Sequence, residues 1–150
     1  MEEIIIRDTS YDDLPQIHAI ENQCFTTPWS LGSFKYELGN RQSIFKVAVK
    51  NKQIIGYVCL RVILDTAHVL NLAVMPEFRR KGIGSTLFQD ALQELKRQYP
   101  DVEISTLEVR ELNTPAITLY RKFGFSIIYK RAKYYQMPDE DAVIMGMELR

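Results

Sequence analysis

The stretch Glu77–Phe88, EFRRKGIGSTLF, concentrates the means to hold an anion: Arg79, Arg80 and Lys81, then Gly82-Ile83-Gly84, then Ser85 and residues able to begin a helix. The first N–H groups of a helix have no internal acceptor and carry the positive end of its dipole. Glycine lets a ligand come close to that backbone, and a diphosphate suits such a spot. Two common phosphate motifs are excluded. Walker A needs a lysine after its glycines, and Lys81 precedes them. The GxGxxG dinucleotide fingerprint finds Leu87 at its third position and Glu103 near the start, not the end, of the next strand. Taken alone, these residues read equally well as a tight turn with a solvated basic face.

Three titratable side chains stand in strand or helix patterns nearby. Glu108 lies in VEISTLEVR, where alternation sets it with Thr106 and Arg110, opposite Leu107 and Val109. From its neighbours it is an exposed strand carboxylate or a partner of Arg110. Tyr120 shares a helical spacing with Ala116, Ile117 and Phe123, the pattern of a packing tyrosine. His68 opens the strand that leads to the anion loop, where a lone histidine is more often structural.

The elements that must position these groups follow from periodicity and caps. Glu3–Arg7 reads as a strand. Ser10 can cap a helix with Asp13 at its third position and Leu14, Ile17, Ile20 and Cys24 as its apolar stripe. Ser30 caps a second helix ending near Gly39. Strands follow at Ile44–Lys50, Ile54–Leu64 and His68–Met75, the first two joined by a tight turn at Asn51-Lys52-Gln53. A helix spans about 82–99, a strand Val102–Arg110, and a short helix starts with Thr114 as cap and Pro115 at its first position. Two last strands lie near Ser126–Lys130 and Ala142–Leu149. The order βααβββαβαββ predicts an α/β (α+β) domain with a mixed, largely antiparallel sheet.

Composition narrows the function. The 150 residues suit one domain, 1–150, with no repeat or linker. Lys+Arg and Asp+Glu are both 19, so bulk attraction to nucleic acid or an anionic membrane is not expected. No apolar run is long enough to cross a bilayer, and the acidic start MEEIIIRDTS is unlike a signal peptide. Two cysteines, Cys24 and Cys59, without a CxxC, predict neither a disulfide framework nor a metal site, and a cytoplasmic location is the default.

The wider pattern resembles a known family. Arg79-x-x-Gly82-x-Gly84 follows a strand ending Leu72-Ala73-Val74, as in the acetyl-CoA loop of the GNAT N-acetyltransferases. Leu107-Glu108-Val109-Arg110, Asn113, Ala116, Leu119-Tyr120 and Phe123-Gly124-Phe125 fall in the order and spacing of the RimI branch, the ribosomal-protein alanine N-acetyltransferases, and of archaeal Ard1-like relatives. Phe25-x-x-Pro28-Trp29-Ser30, Tyr134-Tyr135 and Glu140-Asp141-Ala142 fit the same pattern. Together they cover nearly the whole chain.

The resemblance implies the GNAT acyl-CoA N-acyltransferase fold and acetyl-CoA as substrate, with no metal. It implies that amides across Arg80–Ser85 hold the CoA pyrophosphate. Leu72, Ala73 and Val74 would offer backbone to the pantetheine and thioester, and Asn113 would touch the cofactor. It casts Glu108 as general base through water, Tyr120 as acid to the CoA thiolate, and His68 as a second base candidate. Trp29, Tyr134 and Tyr135 would border the peptide groove. The implied acceptor is a protein N-terminus, first of all the alanine of a small-subunit ribosomal protein, or a broader set of Ser, Ala and Met starts. An α-amine of pKa ~8 is easier to deprotonate than a lysine near ~10.4. Gln136-Met137-Pro138 departs from the tail of bacterial relatives, and His68 is Ard1-like where Pro28-Trp29-Ser30 is RimI-like, so the preferred acceptor stays open. A non-catalytic acyl-CoA-binding module is the rival from another class; it would need neither Glu108 nor Tyr120.

Overall fold

The elements of the computed structural model occur in the predicted order: β1 (Ile4–Asp8), α1 (Leu14–Cys24), α2 (Leu31–Gly39), β2 (Ser43–Lys50), β3 (Gln53–Ile63), β4 (Thr66–Val74), α3 (Ile83–Gln98), β5 (Ile104–Arg110), α4 (Thr114–Lys122), β6 (Ser126–Tyr135) and β7 (Glu140–Glu148). The structure describes residues 3–135 and 140–149. One sheet runs in the order β1-β2-β3-β4-β5-β7-β6. Its neighbours pair antiparallel except β4 and β5, which are parallel. A mixed, largely antiparallel sheet is what the sequence predicts.

Local chemistry accounts for the boundaries. The Ser10 and Asp13 box caps a single 3-10 turn, Tyr11–Asp13, which runs into α1 at Leu14. The Ser30 hydroxyl accepts the Ser33 N–H at 3.1 Å and starts α2. Asn51 and Lys52 both have positive φ, 51° and 63°, the twist that a two-residue hairpin needs. One cap is shifted from the expected position. Asn113, not Thr114, caps α4: its Oδ1 accepts the Ala116 N–H at 3.3 Å, and Thr114 and Pro115 are already helical. An asparagine side chain satisfies the same helix donors one residue earlier.

The two faces of the sheet carry two cores. On one, Leu87, Phe88, Ala91 and Leu95 of α3 and Tyr120 of α4 pack on Val58, Leu60, Val69, Leu107 and Met145. On the other, Leu14, Ile17 and Ile20 of α1 and Phe34 of α2 pack on Phe45, Val47, Tyr57 and Ala73. Each such side chain, fully buried, contributes about 1.5–3 kcal/mol. The helices thus clamp β3 and β4 from both sides.

Clamped strands open where pairing stops. β4 and β5 pair only from Thr66–Val69 to Ile104–Leu107. Beyond Val69 the β4–β3 register shifts: Leu60 opposes Val69 and Cys59 opposes Asn71, so Leu70 is an extra residue. Such a bulge bends its strand and re-aims side chains. Val69 belongs to the α3-side core, whereas Asn71 reaches α1. The bent half of β4 and the half of β5 that pairs with β7 alone leave a wedge between them.

Candidate active site

A cleft of about 220 Å³ fills that wedge. Leu70–Leu72 line one wall, Leu107–Arg110 the other, with Asn113, Ala116 and Tyr120 of α4 at one end and Phe25–Thr27 and Trp29 of the α1–α2 loop at the other. A larger, open hollow of about 530 Å³ lies against α3 and the end of β7, and none of the predicted site residues lines it.

The anion loop does not itself line this cleft; a Cβ on its Gly84 would lie 3.6 Å from Leu119 of α4 and 3.8 Å from Val74 of β4. Gly82 has φ 80° and caps α3, and Arg80 has φ 63°. The first helical bond runs from the Thr86 N–H to the Gly82 carbonyl at 3.0 Å. The N–H groups of Ile83, Gly84 and Ser85 therefore precede the helix's own acceptors. A Cβ on Gly82 would meet no atom within 4 Å, so space stands over this backbone. The Arg79 guanidinium turns elsewhere, giving Nε to the Val74 carbonyl at 2.9 Å and Nη2 to the Cys24 sulfur at 3.1 Å. Arg80 and Lys81 are exposed. Leu72 and Val74 are half-buried and Ala73 is buried.

Alternation is obeyed in β5. Leu107 and Val109 are buried, and Glu108 is exposed on the α1 face. Glu108 stands 3.7 Å from Arg131 of β6, and the Tyr134 hydroxyl donates a hydrogen bond to it. That bond first, and then the Glu108 charge, hold the Tyr134 hydroxyl above the usual phenol range. The Arg131 guanidinium sits over the Tyr134 ring at 4.3 Å. The Tyr135 backbone pairs with Glu140, but its side chain and residues 136–139 lie outside the described residues.

Tyr120 both packs and lines the cleft. It is 7% exposed, and its ring meets Phe88 and Phe125 edge-on, at 5.5 and 5.7 Å between centroids. Trp29 likewise does two jobs: it tilts on Phe34 at 5.2 Å and borders the cleft. His68 lies lower, in the paired part of β4, its Nδ1 3.1 Å from the Thr106 hydroxyl; it does not line the cleft. The structure therefore brings Glu108, Tyr120, Asn113, Trp29 and Leu72 together and leaves His68 apart.

Glu21 has no counterpart in the sequence reading, and Arg110, named there as a possible partner of Glu108, is paired with Glu140 while Glu108 faces Arg131. Glu21 is 2% exposed and lines the cleft. It accepts hydrogen bonds from the Tyr57 hydroxyl, Asn71 Nδ2 at 2.7 Å and the Trp29 N–H at 2.9 Å. Burial above all, then the Glu21 charge and hydrogen bond, push the Tyr57 hydroxyl far above its ordinary range, so it stays a donor. The signal was present: Glu21 is four residues beyond Ile17 on the apolar stripe, where a charge has no place unless it is satisfied. Arg110 ties the rim together, with Glu140 at 3.3 Å on one side and the Thr26 and Thr27 hydroxyls at 3.4 Å on the other. Glu140 also accepts the Leu112 N–H at 2.7 Å, fixing the turn that leads to α4.

Comparison with known proteins agrees with this arrangement. The model of the Acetyltransferase (GNAT) family matches residues 14–125. The [ribosomal protein bS18]-alanine N-acetyltransferase of Haemophilus influenzae is 35% identical over 148 residues, covering 97% of this chain and 99% of that protein. An N-alpha-acetyltransferase of Sulfurisphaera tokodaii is 31% identical over 156 residues, covering 96% and 92%. The crystal structure of the ribosomal-protein-S18-alanine N-acetyltransferase from Escherichia coli superposes with a TM-score of 0.89 at 31% identity, covering 98% of this chain and 94% of that one. Fold, cleft and sequence agree: the chain belongs to the GNAT family of acetyltransferases.

Proposed function

We propose that this enzyme moves the acetyl group of acetyl-CoA to the α-amine of a protein N-terminus, with the N-terminal alanine of ribosomal protein bS18 as its leading acceptor. One observation carries the chemistry: Glu108 and Tyr120 line the same cleft, at the point where β4 and β5 part. The bS18-alanine acetyltransferases it matches along most of their length support the acceptor. A ribosomal-protein acceptor sets the reaction in the cytoplasm. Among the described residues, no helix is long and apolar enough to cross a membrane.

The amides of Arg80–Ser85 hold the CoA pyrophosphate, and Asn113 meets the cofactor at the start of α4. Backbone from Leu72 to Val74 runs along the pantetheine and the thioester carbonyl, and an amide there stabilises the oxyanion. The acceptor amine enters past Trp29 and Tyr134. Glu108 takes its proton through a water, and the amine nitrogen attacks the thioester carbon. The tetrahedral intermediate collapses, the C–S bond breaks, and Tyr120 donates its proton to the leaving thiolate. The phenol and thiol pKa values, near ~10 and ~8.5, allow that transfer. Glu108 is placed better for this role than His68, which stands outside the cleft.

A broader acceptor range is the second reading, favoured by the similarity to the Sulfurisphaera tokodaii N-alpha-acetyltransferase. The deciding experiment incubates the protein and acetyl-CoA with a bS18 N-terminal peptide, the same peptide with its α-amine blocked, and peptides with Ser or Met starts. Transfer to the free alanine peptide alone is expected. Transfer confined to lysine side chains sinks the proposal; comparable rates on all starts favour the broader enzyme. Tight acetyl-CoA binding without any transfer points to a binding module.

A further inference from the structure

Two carboxylates line the cleft, Glu21 and Glu108, and they differ in their company. Glu108 faces Arg131 at 3.7 Å. Glu21 is buried at 2% exposure, and its three donors are all neutral: a phenol from β3, a side-chain amide from the β4 bulge and a backbone N–H from the α1–α2 loop. Among the described residues, no cation stands within ion-pair distance of it. Arg79, on the loop after β4, is directed at the Val74 carbonyl and the Cys24 sulfur instead.

Burying a carboxylate without a counter-cation is costly, even when it is hydrogen-bonded. The hydrogen bonds by themselves do not require the charge. A glutamine keeps an acceptor oxygen for Trp29, and its amide can donate to the Tyr57 oxygen and, once the Asn71 amide turns over, to Asn71 Oδ1; of the three groups only the Tyr57 O–H then loses its acceptor. What the carboxylate adds is a field inside a small cleft, where a buried charge is poorly screened. The acceptor amine of the proposed reaction arrives mostly protonated at neutral pH, its pKa being ~8. Glu21 and Glu108 line one cleft of about 220 Å³, so an amine inside it lies in the field of both.

We propose that Glu21 determines acceptor specificity through its charge, drawing the protonated α-amine of the incoming chain into the cleft before Glu108 removes the proton. The proposal rests on the N-terminal acceptor reading above and deepens it. It assigns Glu21 no contact with acetyl-CoA and no proton to move. Tyr57, Asn71 and Trp29 hold the carboxylate in place, so the loop and the bulge that frame the cleft share one anchor.

The test reads binding, not turnover. Calorimetry on the CoA-bound enzyme compares a short peptide starting with alanine with its isostere bearing a hydroxyl in place of the α-amine. The wild type is expected to bind the amine peptide about tenfold more tightly, as one nearby charge in a poorly screened site allows. Glu21→Gln is expected to bring the ratio below about threefold while leaving acetyl-CoA affinity unchanged. Tyr57→Phe, which keeps the charge and loses one donor, is expected to retain the ratio. A folded Glu21→Gln protein with the wild-type ratio overturns the proposal, as does a wild type that binds both peptides equally. Should Glu21→Gln not fold, the wild-type ratio is measured from low salt to about 0.5 M. A buried charge keeps it within about twofold; a collapse to unity assigns the selection to exposed groups such as Glu108 and overturns the proposal. Failure of the functional reading is seen separately, as no acetyl transfer to the amine peptide by the wild type.

Discussion

Arg131 of β6 reaches past β7 to stand 3.7 Å from Glu108 of β5. Arg131 and the Tyr134 hydroxyl together hold the carboxylate at the cleft, on the side proposed for the acceptor peptide. Both partners of the ion pair are nearly half exposed, at 48% and 42%, so the pair is worth little stability and is open to rearrangement. Glu108→Gln is expected to lower kcat by about a hundredfold, the usual contribution of a general base, with acetyl-CoA affinity within about threefold. Steady-state kinetics and calorimetry measure the two. An unchanged kcat removes Glu108 from the mechanism.

Tyr120→Phe separates the two jobs of that ring. Its packing against Phe88 and Phe125 survives, so the thermal midpoint is expected to stay close to wild type. The hydroxyl proposed to protonate the thiolate is lost, and kcat is expected to fall by about a hundredfold. A variant that unfolds early but turns over normally shows that the tyrosine only packs.

Asp13 offers a test by pH. The Arg7 guanidinium, at 2.7 and 2.9 Å, and the Ser10 N–H and hydroxyl hold its carboxyl below the usual range, against the opposing effect of burial. A depressed folded value means stability that is present above the ordinary carboxylate pKa of ~4 and is lost as pH falls through the lower folded value. Asp13→Asn is expected to cost roughly 1–2 kcal/mol at neutral pH, by urea unfolding, with the gap closing in strong acid. An equal gap at both pH values assigns the loss to something other than ionisation.

At Gly56 the β3–β4 pair leaves little room under Leu87 of α3. A Cβ there would lie 2.9 Å from the Ala73 carbonyl and 3.2 Å from Leu87 Cδ1. Gly56→Ala is expected to cost roughly 1–3 kcal/mol, because the near contact is backbone and cannot swing aside. Ala73 belongs to the segment assigned to the thioester, so acetyl-CoA affinity is expected to weaken in parallel. Calorimetry against thermal melting checks both; unchanged melting shows that β4 yields more easily than its packing implies.

Much of the fold was legible in short windows. Apolar runs gave the strands, and alternation set Glu108 opposite Leu107 and Val109; Ser30, the Asn51-Lys52 turn and the glycines of the anion loop marked boundaries that the backbone obeys. These are choices among neighbours in the chain, and local sterics and hydrogen bonding decide them. Even the misplaced cap of α4 was an error of one residue between two good capping types, Asn113 and Thr114.

The site required what no short window contains. The wedge exists because β4 parts from β5 after Val69 and takes up Leu70 as an extra residue, which depends on strands paired across the chain. That bulge turns Asn71 toward Glu21, fifty residues earlier, and makes a misplaced charge on an apolar stripe into an anchored one. Arg131 meets Glu108 only because β7 lies between their strands. His68 stood behind Glu108 as a second base candidate in the sequence, and of the two only Glu108 lines the cleft. Side-chain types and periodicity thus determined which groups were available and which way most of them faced. Long-range pairing, which local propensity does not encode, decided which of them share a cavity.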